Sequence, residues 1–225
     1  MNAATSPRRW TLRLITPLLA AVAGLLALYL GPWTSPAHAH GSIVDPASRS
    51  YGCWERWGDD HMNPDMAQED PMCWAAYQAN PNTMWNWMSL FRENLAGQFQ
   101  ENIPDGQLCS AGHAQGGLGD SLDTPGPWTT TDVGNDFSLH LHDQASHGAD
   151  YFLVYVTKQG YDPTTQALGW DDLELVAETG SYAPASDITF DVSAPNRTGH
   201  HVVYTIWQAS HLDQTYFICS DVNFT

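Results

Sequence analysis

His40 follows directly after Ala37-His38-Ala39, a triplet with small residues at its first and third positions. Such a triplet is typical of a signal-peptidase site, and cleavage after it would leave a free α-amine and an imidazole on one residue. The α-amine has a pKa of about 7.7 to 8, so it loses its proton readily and can bind a metal beside the ring. One further histidine would complete a T-shaped set of three nitrogens, whose open positions suit copper.

Residues 1–39 as a whole have the pattern of a secretory signal peptide. Arg8, Arg9 and Arg13 form a basic start, and residues 15–30 are almost entirely apolar. A membrane anchor is the alternative, because the apolar run approaches the length that spans a bilayer. The cleavage site favours removal instead, and the Arg8-Arg9 pair leaves the twin-arginine route open. We therefore expect a secreted, extracellular protein with no membrane association after cleavage.

The length of residues 40–225 is ordinary for one domain, and no linker or internal repeat marks a second. We predict a single catalytic domain without an appended binding module, and a monomer. Three of the 8 Lys and Arg residues lie in the first 39, so five remain against 25 acidic residues, a formal charge of −20. A field of that sign argues against nucleic acid or an anionic membrane as partner, whereas a neutral glycan would tolerate it.

Four cysteines in an exported chain suggest two disulfides, with three possible pairings. We favour Cys53 with Cys73, because they are close in sequence. The remaining pair, Cys109 with Cys219, would tie the middle of the chain to its last strand.

The remaining sequence predicts a mainly β fold. Residues 40–82, rich in Gly, Pro, Asn and Asp, predict a long loop region, and apolar residues at helical spacing predict a helix over 82–99 that holds Trp85 and Trp87 in the core. Alternating patterns then predict an antiparallel β-sandwich. Its six strands are Phe137–His142, Tyr151–Thr157, Leu173–Ala177, Ile188–Val192, His201–Trp207 and Tyr216–Phe224.

Several histidines compete for the second metal position. His147 and His113, the latter in a Gly-rich loop, are the two leading candidates. His140 and His142 alternate on one strand face and could mimic a zinc pair of the carbonic-anhydrase type, although solvent-facing positions are the preferred interpretation. The remaining histidines are expected on the surface or in the core, His211 near the site through its loop; these are His61, His200, His201 and His211.

The mature chain as a whole resembles the bacterial lytic polysaccharide monooxygenases, auxiliary activity family ten. The stretches that carry the resemblance are His40–Arg49, Tyr51–Trp57, Asp105–Cys109, His147–Lys158, Asn196–Val203 and Tyr216–Phe224. It implies an immunoglobulin- or fibronectin-III-like β-sandwich with a long, partly helical loop region near the N-terminus. It also implies one copper ion per chain.

The resemblance assigns roles to particular residues. His40 and His147 would bind the copper, and Tyr216 would occupy the axial position, where most members have Phe. The small residue beside that axial position would be Ala145. Trp207 would pack beneath the site and Gln214 would lie near the oxygen-binding position; these are the expected catalytic residues.

The implied activity is oxidative cleavage of crystalline polysaccharide at C1 or C4 of a sugar, with an external electron donor and O2 or H2O2. We expect cellulose as the first substrate and chitin as the second. A crystalline glycan presents a flat face, so aromatic and hydrogen-bonding side chains near His40 are candidate contacts. They are Tyr51, Trp54, Glu55, Arg56 and Trp57.

Three other functions compete with this interpretation. A non-catalytic chitin- or cellulose-binding protein is the serious alternative, because a flat aromatic surface binds sugar with or without copper turnover. A hydrolytic glycosidase would need a pair of carboxylates, and no pair stands out among 25 acidic residues. A zinc enzyme built on His140 and His142 would not depend on His40.

Overall fold

Two antiparallel β-sheets form the framework of the protein, which we describe from a computed structural model over residues 40–225. The smaller sheet consists, in spatial order, of β1 (Gly41–Asp45), β4 (Asp136–Asp143) and β7 (Asp187–Ser193). The larger sheet consists, in spatial order, of β2 (Phe91–Glu93), β9 (Gln214–Phe224), β8 (Gly199–Ala209), β5 (Ala149–Thr157) and β6 (Leu173–Glu178). The short β3 (Thr131–Val133) pairs with β9 in parallel.

Short helices lie between the first strands. They are α1 (Arg49–Trp57), α2 (Met66–Glu69), α3 (Pro71–Ala79), α4 (Asn82–Trp85) and α5 (Phe99–Asn102). The Ser48 side chain accepts a hydrogen bond from the Tyr51 N–H and so caps α1, while Asp70 caps α3, which begins with Pro71. The region predicted as loop over 40–82 is therefore partly helical.

The central strands of the larger sheet, β8 and β9, are buried on both faces. On one face, Phe152 packs with Leu141 and Phe190 of the smaller sheet. On the other face, Tyr204 and Phe217 pack with the helices and loops of residues 53–128. Residues 201–209 of β8 are accordingly all buried, so this central strand lacks the alternation expected of a strand with one wet face.

The predicted sandwich and its six strands are confirmed, with ends that differ by one or two residues. Three strands were not predicted. β1 lay within the presumed loop region, and β2 and β3 have only three residues each, which is too short for an alternating pattern.

The predicted helix over 82–99 is wrong. Helix α4 ends at Trp85, and the chain then forms β2, whose Phe91 pairs with Tyr216 of β9. Asn94 and Ala96 have φ values of 60° and 48°, which no continuous helix allows. The apolar residues of this segment are mostly buried against the larger sheet, so tertiary packing explains a spacing that resembled a helix face.

Both predicted disulfides are confirmed. Cys53–Cys73 joins α1 to α3, with a Cα–Cα distance of 5.3 Å, and Cys109–Cys219 joins the loop layer to β9 at 5.4 Å. Nearby, the buried Arg49 guanidinium pairs with Asp221 of β9 at 2.6 Å. The Cys109–Cys219 bond and the Arg49–Asp221 pair hold this layer on the larger sheet, whereas Cys53–Cys73 ties two helices together within the layer.

Within residues 40–225, no helix combines the length and the apolar character needed to cross a membrane. The predicted signal peptide, residues 1–39, lies outside the described residues.

Loss of the Cys109–Cys219 disulfide should destabilise the fold more than loss of Cys53–Cys73. The two bonds close loops with sequence separations of 110 and 20 residues. The loop-closure entropy then predicts losses of about 5 and about 3 kcal/mol in the free energy of unfolding. Denaturant unfolding of the Cys109→Ser/Cys219→Ser and Cys53→Ser/Cys73→Ser variants measures both values. A larger loss for the shorter loop would contradict the prediction.

Candidate metal centre

His40 is anchored by hydrogen bonds on both sides of the peptide bond that joins it to Gly41. Its carbonyl oxygen accepts a hydrogen bond from the Gln144 N–H at 3.0 Å, and the Gly41 N–H donates to the Met88 carbonyl at 3.2 Å. Gly41 also pairs with Asp143 in the smaller sheet. His40 therefore lies beside the turn that follows β4.

The turn after β4 contains His147 and is organised by Asp143. The fully buried Asp143 carboxylate accepts hydrogen bonds from the Ala145 N–H at 3.0 Å and from the His147 N–H at 2.5 Å. It also lies 3.1 Å from Nδ1 of the His147 ring. Because a carboxylate only accepts hydrogen bonds, Nδ1 carries the proton and the lone pair of His147 is on Nε2. This tautomer leaves Nε2 available for a metal ion.

The buried ring of Trp207 contacts the residues that follow His40 and His147. A Cβ atom on Gly41 would lie only 2.8 Å from Cζ3 of the Trp207 ring, so the indole packs directly against the residue after His40. The indole N–H donates to the carbonyl of Gly148, the residue after His147, at 3.0 Å. The structure thus brings the segments of His40 and His147 together over one buried aromatic ring.

Tyr216 lies next to Trp207 in the same buried cluster. The two rings stack at a centroid distance of 4.4 Å, and Phe91 packs on Tyr216 at 5.4 Å. Burial raises the pKa of the Tyr216 phenol well above its usual value, and the carboxylates of Asp143 and Glu93 raise it further. The phenol is therefore neutral at neutral pH.

A chain of hydrogen bonds extends from the Tyr216 hydroxyl. That hydroxyl donates to Oε1 of Gln214 at 3.2 Å, and Nε2 of Gln214 donates to Oε1 of Glu93 at 3.2 Å. Glu93 was missed by sequence reasoning, because the presumed helix did not place it opposite Gln214. The pairing of Glu93 with Gln214 across β2 and β9 creates the contact.

The His211 ring contacts the His147 ring at a tilt, with a centroid distance of 3.9 Å and an interplanar angle of 33°. Burial lowers the pKa of His211, and the neighbouring His147 lowers it further. The expectation that its loop brings His211 near the site is confirmed, whereas a direct ring contact was not foreseen.

The competing histidines have other partners. His113 pairs with Asp120 at 2.8 Å on a separate loop. His140 and His142 both contact Oδ1 of Asp187 at 3.0 Å, and these bonds lower the Asp187 pKa to about 2. Across residues 40–225, no group of three or more His, Cys, Asp and Glu side chains is arranged to hold a metal ion. The T-shaped set expected from the sequence is not such a group, because it needs only two histidine side chains and its third nitrogen would be a main-chain amine.

The aromatic residues of α1 divide between two faces of the helix. Tyr51 and the 37% exposed Trp54 lie with Trp87 in an aromatic cluster, with centroid distances from 4.9 to 5.8 Å. The Tyr51 hydroxyl also donates to the exposed Glu55 at 3.1 Å. The carbonyl of Met88, the residue after Trp87, accepts a hydrogen bond from the Gly41 N–H. This cluster therefore lies near the His40–Gly41 segment in space.

Two predicted sugar contacts fit the structure poorly. The prediction that Trp57 contacts sugar is wrong. Its indole is buried in the core and donates to Asp70 at 3.0 Å, so it offers no face to a sugar. Arg56 is exposed but pairs with the same Asp70 at 2.7 Å. The core interpretation holds for Trp87, which is 5% exposed, and is wrong for Trp85, which is 39% exposed.

The comparisons with known proteins agree with this architecture. Residues 40–222 match the family described as lytic polysaccharide mono-oxygenase, cellulose-degrading. The solved structure of AA10A from T. fusca is 66% identical, covers 83% of this chain and 100% of its own, and superposes with a TM-score of 0.82.

Two curated relatives are more distant and longer. The chitin-binding protein CbpD of Pseudomonas aeruginosa is 34% identical over 92% of this chain and 52% of its own length. The lytic cellulose monooxygenase of Streptomyces ambofaciens is 32% identical over 84% of this chain and 54% of its own. The chain thus spans about half the length of the curated relatives it matches. With a family match over residues 40–222, the chain belongs to the lytic polysaccharide mono-oxygenase family.

Proposed function

We propose that the chain that begins at His40 is a copper-dependent monooxygenase that cleaves glycosidic bonds in crystalline polysaccharide. The observation that carries this proposal is the convergence of the His40 segment on the turn in which Asp143 holds His147. The family is copper-dependent, which agrees with a donor set of nitrogens.

The residues present suit a copper ion. The His40 amine and ring would provide two nitrogens, and Nε2 of His147 would provide the third. Asp143 gives His147 the outer hydrogen bond that metal-binding histidines commonly have. Bound copper would supply the one-electron redox chemistry that oxidises a sugar carbon beside the glycosidic bond.

The surrounding side chains restrict access to the proposed site. Tyr216, with its neutral phenol, would lie beside the ion, and the buried rings of Trp207 and Phe91 would exclude water from that side. Gln214, held by Glu93, would offer a hydrogen-bonding group beside the open position. Ala145 is exposed on the turn, and its small side chain would leave room for a sugar ring above the site.

The proposed substrate surface contains Tyr51, Trp54 and Glu55, with Trp85 as an additional exposed aromatic residue of the same helical layer. We favour cellulose, oxidised at C1 and C4, and place chitin second. The name of the Streptomyces ambofaciens relative supports cellulose, and the name of the Pseudomonas aeruginosa relative supports chitin. The enzyme would act as a secreted, extracellular monomer with one copper ion and an external electron donor.

A non-catalytic carbohydrate-binding protein is the second candidate. The chitin-binding relative supports it, because an aromatic surface such as the one formed by Tyr51 and Trp54 can hold sugar without turnover. Copper-dependent release of products separates the two candidates.

The product analysis is the direct test. Protein that begins at His40, loaded with copper and supplied with ascorbate, should release aldonic acids or C4-ketosugars from cellulose or chitin. The His147→Ala variant should release none, because it lacks the third nitrogen. Mass spectrometry of the soluble sugars identifies the products. Native oligosaccharides would point to hydrolysis, and binding without any products would support the binding protein.

One extra residue before His40 should weaken copper binding. An added alanine turns the amine into an amide nitrogen, which remains protonated and no longer binds copper as a neutral amine. Removal of this ligand should weaken copper binding by at least tenfold, which is about 1.4 kcal/mol. Isothermal titration with copper measures the affinity, and the melting temperature of the metal-free protein serves as the folding control. Equal affinity for both forms would rule out the amine as a ligand.

Asp143 should affect copper binding through His147. In Asp143→Asn, an amide that donates from its nitrogen and accepts at its oxygen replaces an acceptor-only carboxylate, so the His147 tautomer is less strictly fixed. Loss of such an outer partner typically costs about 10-fold to 100-fold in metal affinity. Copper titration and the electron paramagnetic resonance spectrum measure the change, with Asp191→Asn on β7 as a surface control. An unchanged affinity and spectrum would show that Asp143 only organises the turn.

A further inference from the structure

A groove runs along β5 on the face of the larger sheet next to α5. Its floor is formed by Tyr151, Leu153 and Tyr155, which alternate on β5, and by Leu175 of β6, which is opposite Tyr155. Trp170 closes one end, with its ring 6.0 Å from that of Tyr155. The groove has a volume of about 580 Å³.

Part of the floor of this groove is exposed to solvent. Leu175 is 46% exposed, although it lies within a sheet whose other large apolar side chains are mostly covered. Neither the Tyr151 nor the Tyr155 hydroxyl has a hydrogen-bond partner among residues 40–225. Two phenol groups and one leucine are therefore available to a ligand.

The polar groups of the groove are acceptors and amides. Gln98, Gln100 and Glu101 lie along the α5 side, and Glu178 lies on the β6 side. The lining contains no Lys, Arg or His side chain. Aromatic faces over an apolar floor suit the C–H faces of sugar rings, and carboxylates and amides suit their hydroxyl groups. An anionic polymer would find no cation here, which favours a neutral glycan.

The groove continues toward the proposed copper site. A second hollow of about 380 Å³ shares Gly97 and Tyr151 with it and is lined by His211. The His211 ring in turn contacts the His147 ring. From Tyr151 to Tyr155 the strand advances about 13 Å, which is longer than a single pyranose ring.

We propose that this groove binds a single neutral β-glycan chain, separate from the flat crystalline face. It would hold a strand that has been lifted from the crystal at the edge of the copper site. The choice of a glycan rests on the proposed function, whereas the binding itself needs neither copper nor turnover.

The test is a titration of the copper-free protein, starting at His40, with cellohexaose followed by nuclear magnetic resonance. The amide signals of β5, β6 and α5 should shift on titration. Leu175→Lys, which places a long charged side chain on the floor, should weaken binding by about tenfold, or about 1.4 kcal/mol. Thr189→Lys, at an exposed position of β7 in the other sheet, should bind like the wild type.

Two results would overturn the proposal. One is that the amide signals of the groove do not shift in the wild-type protein, even if signals around His40 do. The other is an equal affinity of Leu175→Lys and Thr189→Lys, once thermal melting has shown that both are folded. Tyr155→Phe provides a second, conservative variant, which should lose affinity if the free hydroxyl contacts the sugar. Since no oxidised product is measured, failure of the oxidative function would leave this test valid.

Discussion

The buried carboxylate of Asp143 is the interaction on which the geometry of the candidate site depends. It accepts hydrogen bonds from two backbone N–H groups of one turn and contacts Nδ1 of the His147 ring. A buried carboxylate without these partners would be costly, so the turn and the ring orientation are fixed together. Because Gly41 is the β-sheet partner of Asp143, the same residue also determines where the chain places His40.

The position of Asp143 depends in turn on the two-sided burial of the central strands of the larger sheet. The smaller sheet, whose strand β4 ends at Asp143, covers one face of these strands, and the helical layer covers the other. Trp207 and Tyr216 come from β8 and β9, the two central strands between these layers. The rings beneath the candidate metal position are thus held by close packing from both sides, which restricts their movement.

The sequence predicted much of this arrangement and missed the parts that depend on short or irregular elements. The disulfides and long strands were predictable, because the short spacing of Cys53 and Cys73 leaves one other pair, and because runs of strand-forming residues between turn residues are local signals. The contact of Glu93 with Gln214 was not, since a three-residue strand creates it. Helix α1 is an intermediate case. Its 3.6-residue period places Cys53 and Trp57 on the buried face, so a helix assigned after the Ser48 cap would have identified Trp57 as a core residue.

The use of the five basic residues among residues 40–225 agrees with a neutral substrate. Arg49, Arg56 and Arg197 pair with Asp221, Asp70 and Glu174. Arg92 donates to the carbonyls of residues 111 and 112, and Lys158 donates to the carbonyl of Asp171.

Every cation of this part of the chain therefore has an acceptor within the fold, while the acidic residues outnumber the cations five to one. A polyanion would meet repulsion at long range and would have to break internal bonds to find a cation at short range. A glycan needs neither, because aromatic faces and hydrogen-bond acceptors are sufficient to bind its rings and hydroxyl groups. The distribution of charge is thus consistent with the neutral glycan proposed for the aromatic cluster of α1 and for the groove along β5.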